Sequence, residues 1–126
     1  MTLTTGVDVV ELARVSRAIA RFGKRFLARV YTEREVARYA HRADELASRF
    51  AAKEAVSKAL GVGMRHMSPH GIQWREVEVL ADPFGKPILS LHGRAAALAA
   101  EQGLREWSIS LTHGREIAIA FVVATG

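Results

Sequence analysis

RFAAKEAVSKALG, residues 49–61, decides how the chain is read. Stepped at about 100° per residue from Leu46, alanines and larger apolar groups fall in every quadrant of residues 46–60, the pattern of a helix at the centre of a fold. Yet Glu54 and Lys58 sit one turn apart on it. An unpaired carboxylate on a buried helix costs on the order of several kcal/mol. An exposed Glu–Lys pair at this spacing contributes only about 0.3–0.5 kcal/mol. Two readings stand. Either this side of the helix is wet and the pair is incidental, or Glu54 faces a cleft, neutralised by a metal ion or held for proton transfer.

Working outward from this helix, residues 4–10 have the β-branched pattern of a strand, with Asp8 set among Val7, Val9 and Val10. From Glu11 the apolar steps lengthen through Leu12, Val15, Ile19, Phe22, Phe26 and Val30, one face of a helix that Gly23 breaks or kinks. Thr32 with Glu35 three residues later fits a capping box opening a second helix. Residues 45–60 form the third, closed by Gly61 at a C′ position. An irregular Gly- and Pro-containing stretch follows. A strand is expected at 74–80, a turn at ADPFGKP, a short strand at 88–91 and an alanine-rich helix at 94–102. Alternation from Trp107 to Thr112 and from Ile117 to Val123 around HGRE predicts an antiparallel hairpin. The class is α+β in one domain, residues 1–126.

Composition excludes several classes. Hydrophobic residues make up 49% and charged residues 25%, which argues against disorder. There is no cysteine, hence no disulfide framework and no thiolate metal site. No apolar run reaches membrane-span length, and MTLTTGVDVVEL lacks the basic start and cleavage site of a signal peptide. A soluble cytoplasmic protein without a membrane partner is expected. The formal charge of +5 is unevenly spread: Arg14, Arg17, Arg21, Lys24, Arg25 and Arg29 lie between Glu11 and Glu33 with no acidic residue among them. Such a patch favours an acidic partner, whether nucleic acid, protein or phosphorylated ligand.

Asp8 is a second carboxylate in an awkward place, since aspartate is disfavoured inside strands. If the central helix packs on that strand, Asp8 and Glu54 converge. Two carboxylates without a His/Cys cluster suit Mg²⁺, which keeps waters and borrows substrate phosphates.

GVDVVEL, RFAAKEAVSKALGVG, FGKP and SISLTH, in this order, resemble holo-[acyl-carrier-protein] synthase, the short single-domain class of 4′-phosphopantetheinyl transferases. The match runs over essentially the whole chain, and FAAKEA-x-SKALG is its most specific string. The resemblance implies a compact α+β fold, an antiparallel sheet packed against a central helix, and homotrimers with sites between subunits. It implies Mg-dependent transfer of the phosphopantetheine arm of coenzyme A to a serine of apo acyl carrier protein, releasing adenosine 3′,5′-bisphosphate.

By matched position, Asp8 and Glu54 would hold the metal and Lys58 would lie near the transferring phosphoryl group. Glu54, or a metal-held water, would take the serine proton. Coenzyme A contacts are carried over onto Arg49 and Lys53 for the 3′-phosphate, onto the backbone at Gly61 and Gly63, onto Gly85, Lys86 and Pro87 near the adenine nucleotide, and onto His113. For each there is a plainer reading: a solvated helix edge, a helix cap, a hairpin turn, a turn histidine. Arg14, Arg21 and Arg25 would receive the acidic carrier protein. Trp107 departs from the histidine often found before this strand, a packing difference.

Two other functions remain open. One is a basic nucleic-acid-binding module, which the arginines favour but the few, uninterleaved aromatics do not. The other is a non-catalytic coenzyme A or carrier-protein binding subunit, which the complete Asp8, Glu54 and Lys58 set argues against. Which pathway supplies the carrier protein is open as well.

Overall fold

The structure, a computed structural model, describes residues 2–126. The elements run β1 (Leu3–Glu11), α1 (Leu12–Phe22), α2 (Lys24–Val30), α3 (Glu33–Tyr39) and α4 (Ala43–Ala59). After the irregular stretch come β2 (Val77–Ala81), β3 (Pro87–Leu91), α5 (Gly93–Glu101), β4 (Glu106–His113) and β5 (Ile117–Thr125). The class is α+β, as expected. One antiparallel sheet has the order β1-β5-β4, and β2-β3 form a separate hairpin.

Local chemistry accounts for the boundaries. Gly23, at φ 55°, takes a backbone conformation that only glycine adopts cheaply, and it divides the arginine-rich helix into α1 and α2. Thr32 and Glu35 form the expected capping box at the start of α3. The expected strand at 74–80 is shorter, because Trp74–Glu76 curl into a single 3-10 turn. The cause is Glu76, whose carboxylate accepts from the Gln73 N–H at 2.7 Å and from the Arg94 N–H. Those two bonds bend the chain and tether the start of α5.

Helix α4 is the core. Leu46, Ala47, Ala51, Ala52, Ala55 and Val56 have no exposed surface. Against them the sheet presents Val10, Ala118, Ala120, Val122 and Ala124, all 2% exposed or less. Alanine faces alanine across most of this seam, so helix and sheet come close. Gly6 marks the closest point: a Cβ built there would sit 1.9 Å from the Ala55 carbonyl oxygen. The Thr4 hydroxyl then reaches the Ala59 carbonyl at 2.7 Å, which pins β1 to the last turn of α4. The central helix read from the sequence is thus a helix laid directly on β1, the geometry that convergence of Asp8 and Glu54 requires.

Candidate active site

Asp8 alternates with Gly6 and Val10 on the inner face of β1, paired across the sheet with Ala120. Because Gly6 lets α4 approach, the Asp8 side chain meets the C-terminal half of that helix. Lys58 Nζ donates to Asp8 Oδ1 at 2.7 Å and to the Val7 carbonyl at 3.1 Å. Glu54, one turn earlier, is half-buried. Burial first, and the neighbouring Asp8 charge second, push its carboxyl above the usual carboxylate range; Arg14 and Lys58 pull against that shift. Two carboxylates, one lysine and one arginine therefore share one electrostatic site. Lys58 spends its hydrogen bonds on Asp8 and the Val7 carbonyl rather than on Glu54, so the two residues one turn apart are not simply an ion pair on a wet helix face.

Arg14 has a double position. It belongs to the arginine series of α1, yet its guanidinium lies 5.1 Å from the centre of the Phe50 ring and close enough to Glu54 to bias its proton. Phe50 in turn packs on Trp74 with ring centres 4.5 Å apart, and on Phe26 at 6.5 Å. An aromatic floor thus leads away from the acid pair, beneath Arg14, to the irregular stretch. Arg21, at the end of α1, and Arg25, at the start of α2, are both exposed.

Several expected contacts are corrected. Lys53 is fully buried: its ammonium donates to Glu35 Oε1 at 2.8 Å, to the Trp74 carbonyl at 3.1 Å and to the Val77 carbonyl. Glu35 also accepts the N–H groups of Thr32 and Val79, both at 2.9 Å. This buried pair locks α3, α4 and β2 together and has no donor left for a phosphate. Burial pulls the lysine down in pKa while Glu35 holds it up.

Arg49 is 3% exposed and spends its guanidinium on the Val79 carbonyl (3.1 Å), Glu45 (3.0 Å) and the Tyr39 hydroxyl (2.9 Å). It is a brace, not a solvated helix edge. Gly61 and Gly63, at φ 79° and 72°, close α4 with their own N–H groups, given to the Lys58 and Ser57 carbonyls. The helix cap accounts for them, and neither amide is free to cradle an anion.

Gly85, Lys86 and Pro87 lie at the β2–β3 turn, where the Asp82 carboxylate accepts from the Phe84 and Lys86 N–H groups at 2.8 and 2.9 Å. The turn is self-satisfied and presents the Lys86 side chain to solvent. His113 ends β4 with Nε2 at 3.5 Å from Glu45 Oε1 and 3.8 Å from Asp44 Oδ2. Arg49 and His113, read separately from the sequence, therefore share Glu45. This cluster is at the opposite end of α4 from Glu54, about 13 Å along the axis.

Sequence reasoning missed the packing role of Gly6 and the Glu35 anchor for Lys53. Their signals were a glycine two residues before an aspartate in a strand, and a glutamate already accounted for by its capping box.

Comparison with known proteins follows the same lines. A family model described as the 4′-phosphopantetheinyl transferase superfamily matches residues 4–122. The holo-[acyl-carrier-protein] synthase of Herpetosiphon aurantiacus is 50% identical over 98% of this chain and 99% of its own. Among solved structures, holo-[acyl-carrier-protein] synthase from Neisseria meningitidis superposes with a TM-score of 0.83 at 34% identity, covering 98% of each chain. The Helicobacter pylori enzyme, in complex with coenzyme A, gives 0.83 at 28% identity over 96% of this chain and 99% of its own. The chain belongs to the 4′-phosphopantetheinyl transferase superfamily, within its holo-[acyl-carrier-protein] synthase group, and is an enzyme of that group.

Proposed function

We propose that the chain transfers the 4′-phosphopantetheine group of coenzyme A to a serine hydroxyl of an apo acyl carrier protein, releasing adenosine 3′,5′-bisphosphate. The observation that carries this reading is the meeting of Asp8 and Glu54, with Lys58 on Asp8. The names of the relatives support it, as does the coenzyme A complex of the Helicobacter pylori structure.

The chemistry is a phosphoryl transfer. The serine Oγ bonds to the phosphorus next to the pantetheine arm, the pyrophosphate bridge breaks, and the adenosine bisphosphate leaves with the electron pair. Positioning and charge neutralisation supply most of the catalysis in such reactions. Glu54, its proton affinity already raised by burial and by Asp8, is suited to receive the serine proton. Lys58 supplies positive charge at the acid pair, where charge builds on the transferring group. Arg14 lies between this chemistry and the carrier-protein side.

The residues fit a divalent cation. Two carboxylates held at each other's expense, with oxygen donors only, make a site that a hard cation relieves. Asp8 and Glu54 would hold Mg²⁺, and the ion, when bound, would orient the diphosphate and offset its developing charge.

His113, with Lys86 and Pro87 on the hairpin turn, is proposed to border the nucleotide end of coenzyme A. Arg14, Arg21 and Arg25 are proposed to receive an acidic carrier protein. A trimer with sites between subunits is supported by the outer sheet face, where Val7, Val9, Ile117 and Phe121 are 40–56% exposed. An apolar sheet face left open on one chain calls for a cover. Among the described residues no helix is long and apolar enough to cross a membrane.

The test is mass spectrometry of an apo carrier protein incubated with this protein, coenzyme A and Mg²⁺. Gain of one phosphopantetheine arm on the serine supports the reading; an unmodified carrier across a range of donors rejects it. The nucleic-acid alternative would require sequence-discriminating binding, since weak salt-sensitive binding follows from charge alone.

A further inference from the structure

The irregular stretch between α4 and β2 is tightly built. Arg65 N–H bonds to the Ile72 carbonyl at 2.8 Å and Ile72 N–H to the Gly63 carbonyl at 3.0 Å, folding residues 63–72 back on themselves. Gly71 permits the closure: a Cβ there would lie 2.4 Å from the Met64 carbonyl carbon. The fold-back stacks His66 on Trp74, rings 5.5 Å apart and 14° from parallel. It also brings Arg65 and Arg75 to one cavity of about 290 Å³, which Arg29 of α2 lines as well.

Three guanidiniums and an imidazole line this cavity with no carboxylate among its lining residues. Among the described residues, no ion pair uses Arg29, Arg65 or Arg75. Gathering like charges around one concavity is unfavourable unless an anion arrives to share them. Arg29 also lines the neighbouring hollow formed with Phe22, Arg25 and Phe26, so the cavity continues the arginine face of α1 and α2. Through Trp74 and Phe50 it also continues the aromatic floor that begins at Arg14.

We propose that Arg65 and Arg75, with Arg29 between them and α1, form a second basic jaw that grips acidic side chains of the carrier protein. The substrate is then clasped from two sides, by the helix arginines and by the folded-back stretch, with the acid pair at the end of the aromatic floor. An acidic polypeptide fits better than a phosphate of coenzyme A, because Arg29, Arg65 and Arg75 are all exposed and Arg29 also lines the hollow it shares with Arg25, so the basic surface runs on beyond one cavity. This inference rests on the transfer activity proposed above.

The test is steady-state transfer by the intact protein carrying Arg65→Glu and Arg75→Glu, with Arg65→Gln and Arg75→Gln as a charge-removing pair less prone to misfolding. The expected result is a rise of about tenfold in KM for the carrier protein in the reversal variant, and a smaller rise in the neutral one. The salt dependence of kcat/KM should be flatter, since fewer steering charges remain. KM for coenzyme A and kcat at saturating carrier should be unchanged. Carrier KM equal to wild type in both variants would overturn the proposal while leaving the activity standing. A raised KM for coenzyme A with normal carrier KM would overturn it too, placing a nucleotide phosphate in the cavity. Reduced binding of a random DNA duplex with normal carrier KM would likewise overturn it. If wild-type protein modifies no carrier, the failure lies in the activity itself, a distinguishable outcome.

Discussion

Lys58 Nζ donates to Asp8 Oδ1 at 2.7 Å, joining the last turns of α4 to the inner face of β1 across fifty residues of sequence. The lysine is about half exposed while the aspartate side chain is mostly covered. The pair is therefore open to solvent on one side, which leaves the proposed diphosphate a way in. Lys58→Met should leave the fold intact, because an exposed partner adds little stability. It should lower kcat by about 10²–10³-fold, the usual loss on removing one group that stabilises developing charge. Stopped-time transfer assays at saturating coenzyme A check this, and near-normal kcat would remove Lys58 from the chemistry.

Glu54 gives a prediction with a sign. Its folded-state pKa is raised by burial and by Asp8, so between the unfolded and folded values the native state binds more protons than the unfolded one. The stability contributed by this group is fully present below the unfolded pKa and is lost as pH rises through the folded pKa. Glu54→Gln should therefore abolish transfer yet raise the Tm of the metal-free protein at neutral pH by roughly 1–4 °C. It should also remove the part of the Tm–pH slope that Glu54 contributes between its unfolded and folded values. Thermal scans from pH 4 to 8 decide it; a lower Tm in the variant contradicts the assignment.

Gly6→Ala tests the packing that creates the site. With only 1.9 Å between the new Cβ and the Ala55 carbonyl oxygen, backbone must shift on one side. A destabilisation of about 1–3 kcal/mol is expected, with activity reduced in the molecules that remain folded, since Asp8 moves with β1. Denaturant melts alongside transfer rates on the folded fraction read both effects.

Lys53→Met separates a structural lysine from a nucleotide ligand. Loss of the buried ammonium leaves Glu35 without its cation, and removing one partner of such a pair costs about 3–5 kcal/mol. The variant should melt far earlier, while its KM for coenzyme A, measured at a temperature where it is folded, should match wild type. Lost coenzyme A affinity with normal stability would restore the phosphate reading.

Much of this was legible in the sequence. The all-round apolar pattern of residues 46–60 implied a central helix, Gly23 and the Thr32–Glu35 box marked helix ends, and the valines around Asp8 marked a strand. Asp8 and Glu54 stood out because each is a carboxylate where local patterning argues for an apolar residue. Periodicity could not show what depends on distant partners. Arg49 and Lys53 are indistinguishable from solvated cations until Glu35, Tyr39 and the carbonyls of residues 74–79 close around them. The 3-10 turn at Trp74 was hidden for the same reason, since it depends on Glu76 reaching Arg94.

The central claim is that Asp8 and Glu54 act together on the diphosphate of coenzyme A through one divalent cation. The most direct measurement is isothermal titration of Mg²⁺ into the coenzyme A-loaded protein, comparing wild type with Asp8→Asn and Glu54→Gln. The account predicts one saturable Mg²⁺ site in wild type, weakened at least tenfold in each variant, with transfer lost in step. Undiminished Mg²⁺ binding in both variants, or full transfer by either, would contradict it.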